Sequence, residues 1–243
     1  MISIIYSEFM KFKRTRILII LFFSGICLPM FLMFGCKANG IFVDWEFYTT
    51  LIELIMFMVL SIVIFAMLTS HLFAREFSEK TSSVLYTYPF SRVKIFFCKF
   101  FVLILMMCFV YIIQYGLMFL TGLLLKHDKL TVYILLKHVK IYGFSLMLQI
   151  AIMPVFIILA LITRNNLSAI IFSVMAAGSN FVLYIVNNLV DRNIWLPFSL
   201  PMMPMLCYGE QKVNVTLVII TGIVMFFLGI TICIAYMKKM DVT

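Results

Sequence analysis

Acidic side chains are scarce in this sequence: 10 Asp and Glu stand against 19 Lys and Arg in 243 residues, and charged residues of both signs make up only 12%. Soluble globular chains carry about 25% charged residues, so an ordinary water-soluble domain is excluded. The residues of phosphate and metal chemistry are also few. None of the 10 glycines is followed by Lys-Ser or Lys-Thr, which rules out a phosphate-cradling P-loop. G-x-G-x-x-G, G-x-S-x-G and H-E-x-x-H are missing too, and with them the usual marks of dinucleotide, acyl-transfer and zinc-hydrolase sites. His71, His127 and His138 do not stand at ligand spacing, and the six cysteines, Cys27, Cys36, Cys98, Cys108, Cys207 and Cys233, form no C-x-x-C pair. Neither a zinc site nor a disulfide framework is indicated.

Apolar side chains are what the sequence has in excess. They make up 65% of the chain, with 26 Phe and 19 Met, and the mean hydropathy is +1.15. A chain this short keeps much of its surface in contact with its solvent, so for most of its length that solvent is lipid. A helix needs about 20 apolar residues to cross a hydrocarbon core of about 30 Å. Six runs qualify: Ile17–Phe34, Leu54–Phe73, Phe100–Leu125, Ile141–Thr163, Leu167–Val190 and Val213–Met237. They are apolar on every face, whereas membrane β-strands alternate. The expected fold is all-α and integral to the membrane, with six transmembrane helices.

An even number of spans puts both termini on one side. With that side cytoplasmic, Lys11, Lys13, Arg14, Arg16, Arg75, Lys80, Arg92, Lys94, Lys99, Arg164, Lys238 and Lys239 are inside. Lys37, Lys126, Lys129, Lys137, Lys140, Arg192 and Lys212 are outside. The positive-inside rule favours this orientation, and it accounts for the net charge of +9 without nucleic acid. A basic stretch before the first run mimics a signal peptide, but bulky Phe34 ahead of Gly35-Cys36 is wrong for a cleavage site.

Between the spans, Ile2, Ile5, Tyr6, Phe9 and Phe12 recur at helical spacing, with Ser7, Lys11 and Arg14 on another face. This amphipathic helix reads as a membrane anchor, or as a lever that touches a cytoplasmic partner. The link between spans two and three opens with alternating charges from Arg75. It continues with Val84, Leu85 and Tyr88 at helical spacing and stops near Pro89, which cannot continue a helix. A plain connection between neighbouring helices is shorter. It also has no need to offer two tyrosines and a leucine to water, so the segment reads as a docking surface.

Arg75-Glu76-Phe77, Lys80-Thr81, Leu85 and Pro89-Phe90-Ser91-Arg92 resemble the first cytoplasmic loop of type-2 ABC exporter permeases. Lys80 stands where that family often has glycine. Ser7-Glu8-Phe9-Met10-Lys11-Phe12-Lys13-Arg14-Thr15 is similar to the family's connecting helix. The overall layout is closest to the small permeases of lantibiotic-immunity and bacitracin-resistance transporters.

The resemblance implies a division into residues 1–16, an interfacial helix, and residues 17–243, a six-helix domain. A coupling helix would span about residues 75–90, formed by Arg75, Glu76, Glu79, Thr81, Leu85, Tyr88, Pro89 and Arg92. Glu8, Lys11, Lys13 and Arg14 would act from the interfacial helix. The Pro-rich stretch at residues 195–208, Trp195 to Tyr208, reads as a re-entrant cap before span six or as an interfacial loop anchored by its aromatics. The implied partners are a cytoplasmic ABC ATPase, a second permease copy or sister permease, and membrane lipid. ATP and Mg would belong to the ATPase, with no cofactor, metal or catalytic residue on this chain. The implied cargo is an amphipathic peptide antibiotic, and the location is the cell membrane.

Polar residues inside the spans complete the reading. Glu53 falls at the outer mouth of span two and His71 near its inner end, where each can reach the interface. Gln114, Gln149, Asn180, Asn187 and Asn188, with Glu53, line a transport pathway or else make interhelical hydrogen bonds. Ala169, Ser173 and Ala177 repeat every four residues, a close-contact face within one subunit or between two. The competing functions are an integral-membrane hydrolase or protease using Glu76, Glu79 or His71, and a non-catalytic scaffold.

Overall fold

A computed structural model describes residues 2–13, 17–40, 42–78, 91–125, 127–185, 197–208 and 213–239. Helix α1 covers Ile2–Lys13 and α2 covers Ile17–Ala38. Helix α3, Trp45–Ile55, runs through a π-helical turn, Met56–Leu60, directly into α4, Ser61–Ser78. Helices α5, α6 and α7 are Arg92–Leu123, Val132–Thr163 and Asn166–Ile185. A 3-10 segment, Pro197–Met202, leads into the short α8, Met203–Tyr208, and α9 is Val215–Lys239. Helix is the form in which a lipid-bound segment satisfies every backbone group by itself. Among the described residues the β pairing is one isolated bridge, Val43 with His127.

Among the described residues, five stretches are long and apolar enough to cross a membrane: Leu21–Ala38, Trp45–Arg75, Arg92–Leu123, Val132–Thr163 and Val215–Lys239. The fifth of the six runs read from the sequence, Leu167–Val190, is represented by α7. Its apolar stretch, Leu167–Val182, is shorter, and residues 186–190 lie outside the described residues.

The helices also outrun the apolar runs. Helices α5 and α6 have 32 residues each, about 48 Å at 1.5 Å per residue, against a hydrocarbon core of about 30 Å. Hydropathy marks where lipid ends, but a packed helix continues through polar residues beyond that edge. Ser91 Oγ accepts from Lys94 N and so caps α5 well before the apolar run at Phe100.

Helix α6 is central, packing against α4, α5, α7, α9 and the 3-10 segment, while α2 and α1 lie against α5. Tyr48 meets Thr121 and Lys99 meets Leu72, so α5 runs opposite to α3–α4. Thr49 meets His138 and Ser61 meets Gln149, so α6 runs with α3–α4. Trp45, Leu123 and Val132 therefore share one end of the bundle, called distal here. Ser78, Arg92 and Thr163 share the other, the proximal end, together with α1 and Lys239.

The core lies between the three long middle stretches, which are 56–61% buried, whereas the first and last are 22% buried. At the distal end Trp45 lies against Gly122, where an added Cβ would stand 2.5 Å from the indole ring. Its Nε1 donates to Asp128 O at 2.8 Å. Ala169, Ser173 and Ala177 are all buried, and α7 packs along α4 and the π turn. The small-residue face is thus a seam inside one chain. All six cysteines are free, including Cys36 and Cys207.

Candidate functional site: a polar seam between the middle helices

The π turn breaks the regular ladder where α3 becomes α4, and such turns are frequent at functional sites. Polar side chains gather around it on three helices. On α3–α4 they are Thr49, Glu53 and Ser61; on α5, Tyr111 and Gln114; on α6, His138, Ser145 and Gln149. All are buried. Their spacings of three, four, seven or eight residues along each helix put each set on one inward face.

At the distal level His138 Nδ1 lies 2.6 Å from Glu53 Oε1 and Nε2 lies 3.0 Å from Thr49 Oγ1. The side chains of His138 and Glu53 are 2% and 0% exposed. Phe119 presents its edge to the His138 ring, and Tyr115 and Tyr142 pack against each other close by. The second carboxylate oxygen, Glu53 Oε2, has no hydrogen-bond partner. A carboxylate–imidazole pair at membrane depth needs a reason, because charge there is costly unless it is paired.

One level deeper, Ser61 Oγ donates to Gln149 Oε1 at 3.2 Å, joining α4 to α6. Ser145 Oγ donates to Pro201 O at 2.7 Å, so the Tyr111 hydroxyl donates to Ser145 Oγ at 3.2 Å. Asn180 of α7 donates to Phe198 O and to Met58 O, a carbonyl of the π turn. The Pro-rich stretch is therefore tied into the interior by two side chains, and Ser199, Leu200, Pro201, Met202 and Met203 are buried. Ser145 stands 13 residues from the start of α6, about 20 Å along the helix.

A cavity of about 760 Å³ opens beside the seam, between α3, α6, α7 and α8. Its walls are mainly apolar, with Phe47, Leu51, Leu54, Met205 and Leu206, and its rim carries Glu46, Lys137, Tyr184 and Tyr208. Glu46 and Lys137 are paired at 3.1 Å. An apolar chamber with a few polar groups is the usual form of a small-molecule site.

Of the residues expected to line a pathway, Glu53, Gln114, Gln149 and Asn180 are brought into the seam. Gln149 and Asn180 make interhelical hydrogen bonds, while both amide atoms of Gln114 lack a partner. None of the four lines the 760 Å³ cavity. Glu53 does not reach an interface; it is 0% exposed, because the helix carrying it begins eight residues earlier at Trp45. Asn187 and Asn188 lie outside the described residues.

At the proximal end, Arg75 closes α4 beside His71, 3.5 Å from Nη1 to Nε2, and Arg92 opens α5. Glu76 falls in the last turn of α4. Glu79, Thr81, Leu85, Tyr88 and Pro89 lie outside the described residues, as do Arg14 and Trp195. On α1 the apolar strip read from sequence divides: Ile5 packs against the core. Tyr6 and Phe9 are exposed, while Glu8 is 3% exposed and takes Lys11 Nζ at 2.6 Å. A packed carboxylate one turn from a lysine stays paired, which leaves the aromatics to face lipid. Lys13 belongs to the last turn of α1.

The sequence reading missed Thr49, His138, Ser61, Tyr111 and Ser145 as site residues. A signal was present: His138, Tyr142, Ser145 and Gln149 repeat every three or four residues through an apolar helix.

Residues 4–180 match the family model described as ABC-2 family transporter protein. No curated protein matches the chain.

Proposed function

From the premise that the chain belongs to the ABC-2 family of transporter proteins, the membrane component of an ABC transporter, we propose that it exports or expels an amphipathic peptide antibiotic of the bacitracin or lantibiotic type. The match covering residues 4–180 supports the permease part of this reading, since it takes in most of α1, the middle helices and the segment around residues 75–90; the cargo is assigned from the resemblance of the overall layout to the small antibiotic-resistance permeases. Family membership implies an ATPase partner and typically a permease dimer. A homodimer or a pair with a sister permease would complete a twelve-span assembly, with both termini cytoplasmic in the cell membrane.

In this proposal Arg75, Glu76, Glu79, Thr81, Leu85, Tyr88, Pro89 and Arg92 form the coupling helix, and α1 is a lever beside it. ATP and Mg bind the partner. Closure of the ATPase pair moves the coupling helices and biases the pore between two rigid-body arrangements. The segment at residues 195–208 is a re-entrant cap, a reading supported by its ties to Ser145 and Asn180. The cavity of about 760 Å³ receives an apolar part of the cargo against its mainly apolar walls.

The test is co-purification in gentle detergent with the ATPase encoded beside this chain, together with survival of cells challenged with bacitracin or a lantibiotic. A stoichiometric ATPase is expected, with its loss and loss of resistance on Leu85→Ala. If several gentle preparations carry no ATPase, the coupling assignment fails. If the ATPase binds but no peptide antibiotic is tolerated better, the cargo assignment fails.

A further inference from the structure

The hydrogen-bond geometry around His138 fixes how many protons the buried pair holds. Thr49 has one hydroxyl proton, and its Oγ1 lies 2.6 Å from Trp45 O, the carbonyl one turn back. That proton is committed, so in the 3.0 Å contact with His138 Nε2 the imidazole must donate. The other ring nitrogen, Nδ1, faces Glu53 Oε1 at 2.6 Å. Two lone pairs do not approach that closely in a dry interior, so one further proton lies between them. Whether it sits on nitrogen or oxygen, the pair is neutral overall and carries one shared proton.

Among the described residues no neighbour replaces that proton. Tyr115 OH donates to Leu135 O, Tyr142 OH to the Met118 sulfur, and Tyr48 OH pairs with Thr121. Tyr111 is engaged with Ser145. His127 lies against Trp45 and bonds the Asp128 carbonyl. The nearby charges, Lys137 on α6 and Glu46 on α3, neutralise each other at the rim. Removing the shared proton would leave a buried negative charge, and adding one would leave a buried positive charge. Both are costly.

We propose that Glu53 and His138 form an intramembrane proton-binding site, which holds one proton while α3 and α6 are joined and releases it when they separate. In water a glutamate titrates near about 4.3 and an imidazole near about 6.5. Above the imidazole value the separated residues are a carboxylate and a neutral ring, with no shared proton. The joined state then binds one proton more than the separated state. Acid favours joining, fully between those two values, and above about pH 6.5 the equilibrium shifts towards separation about tenfold per pH unit. The resting proton count is independent of the transport proposal; only a link between proton release and pumping rests on it.

The experiment uses the full chain in lipid nanodiscs, labelled with 15N-histidine and followed by NMR from pH 5.5 to 8.5. His71→Gln and His127→Gln assign the three rings without touching the pair. The expected result is a His138 signal with a protonated Nε2 throughout that range. A step near pH 6.5, or an unprotonated Nε2, overturns the proposal. A second arm compares unfolding equilibria of the wild-type and Glu53→Gln proteins, with His138→Gln used if the first variant does not fold. Relative to the variant, the wild-type unfolding constant should rise about a hundredfold from pH 6.5 to 8.5. Parallel profiles also overturn it. Neither arm needs an ATPase or a cargo, so failure of the transport proposal leaves both results unchanged.

Discussion

Gly229 of α9 lies so close to Pro154 of α6 that an added Cβ would stand 2.5 Å from the proline Cβ. One turn further on, Cys233 is 0% exposed and its thiol lies 3.5 Å from Pro154 O. The proline lacks the N–H that would complete the helix ladder, and its ring fills a space that the glycine leaves open. Substitution of Gly229 by Ala should therefore cost about 1–3 kcal/mol through overpacking. Gly35→Ala, at a position with nothing within 4 Å, should cost nothing comparable. Thermal unfolding of the two variants in detergent checks the contrast; equal midpoints would mean that α9 shifts freely on α6.

Gln114 offers a test in the opposite direction. Both amide atoms are buried without partners, and an unsatisfied polar group in an apolar setting costs about 1–3 kcal/mol. Gln114→Leu should raise the unfolding midpoint. If the amide serves transport and the proposed cargo is right, resistance to it should fall in the same variant. Greater stability with lost activity is the expected pattern for a functional polar group.

Ser145 joins α6 to the Pro-rich segment through Pro201 O and also receives the Tyr111 hydroxyl. Ser145→Ala leaves Pro201 O without its donor and Tyr111 with Ser61 alone, a loss of about 1–3 kcal/mol. Cys207, half-buried at the end of that segment, should then react faster with a maleimide. The rate is measured with Cys27, Cys36 and Cys108 replaced by serine; an unchanged rate would show that the Ser145 bond is not what holds the segment.

Filling the 760 Å³ cavity should separate binding from assembly. Leu54 lines it and is only partly buried, so Leu54→Trp adds bulk to the chamber without disturbing the sealed seam. Resistance is expected to drop at least severalfold, while the amount of co-purified ATPase stays the same. Loss of both together would place the effect in folding.

Much of the fold was legible because lipid imposes one rule: apolar runs become helices. Hydropathy located every long helix but misjudged the ends, and the most informative pair fell in the error. The second run was read as starting at Leu54, one residue after Glu53, and the fourth at Ile141, three residues after His138. Glu53 was therefore assigned to the outer mouth of its span, and His138 was left outside its span. In the structure each is inside, because the two pair at 2.6 Å through Glu53 Oε1. A window average over one strand of sequence does not register a pairing between residues 85 positions apart. On α1, Glu8 and Lys11 were both named from the sequence, but the pairing that accompanies the burial of Glu8 required three dimensions. Ala169, Ser173 and Ala177 were legible as a contact face, but the choice of α4 as its partner required three dimensions.

Helix α2 packs on α5 and only lightly on its nearer neighbours in sequence, which gives biosynthesis a definite order. When α2 ends at Ala38, the last residue of α5, Leu123, is still 85 residues away. At about 5–20 residues per second, that is a delay of about 4–17 seconds. Through this interval the first span sits in the bilayer with its principal partner not yet made, and Phe22, Phe23, Phe31 and Phe34, exposed even in the finished bundle, keep it anchored in lipid while it waits.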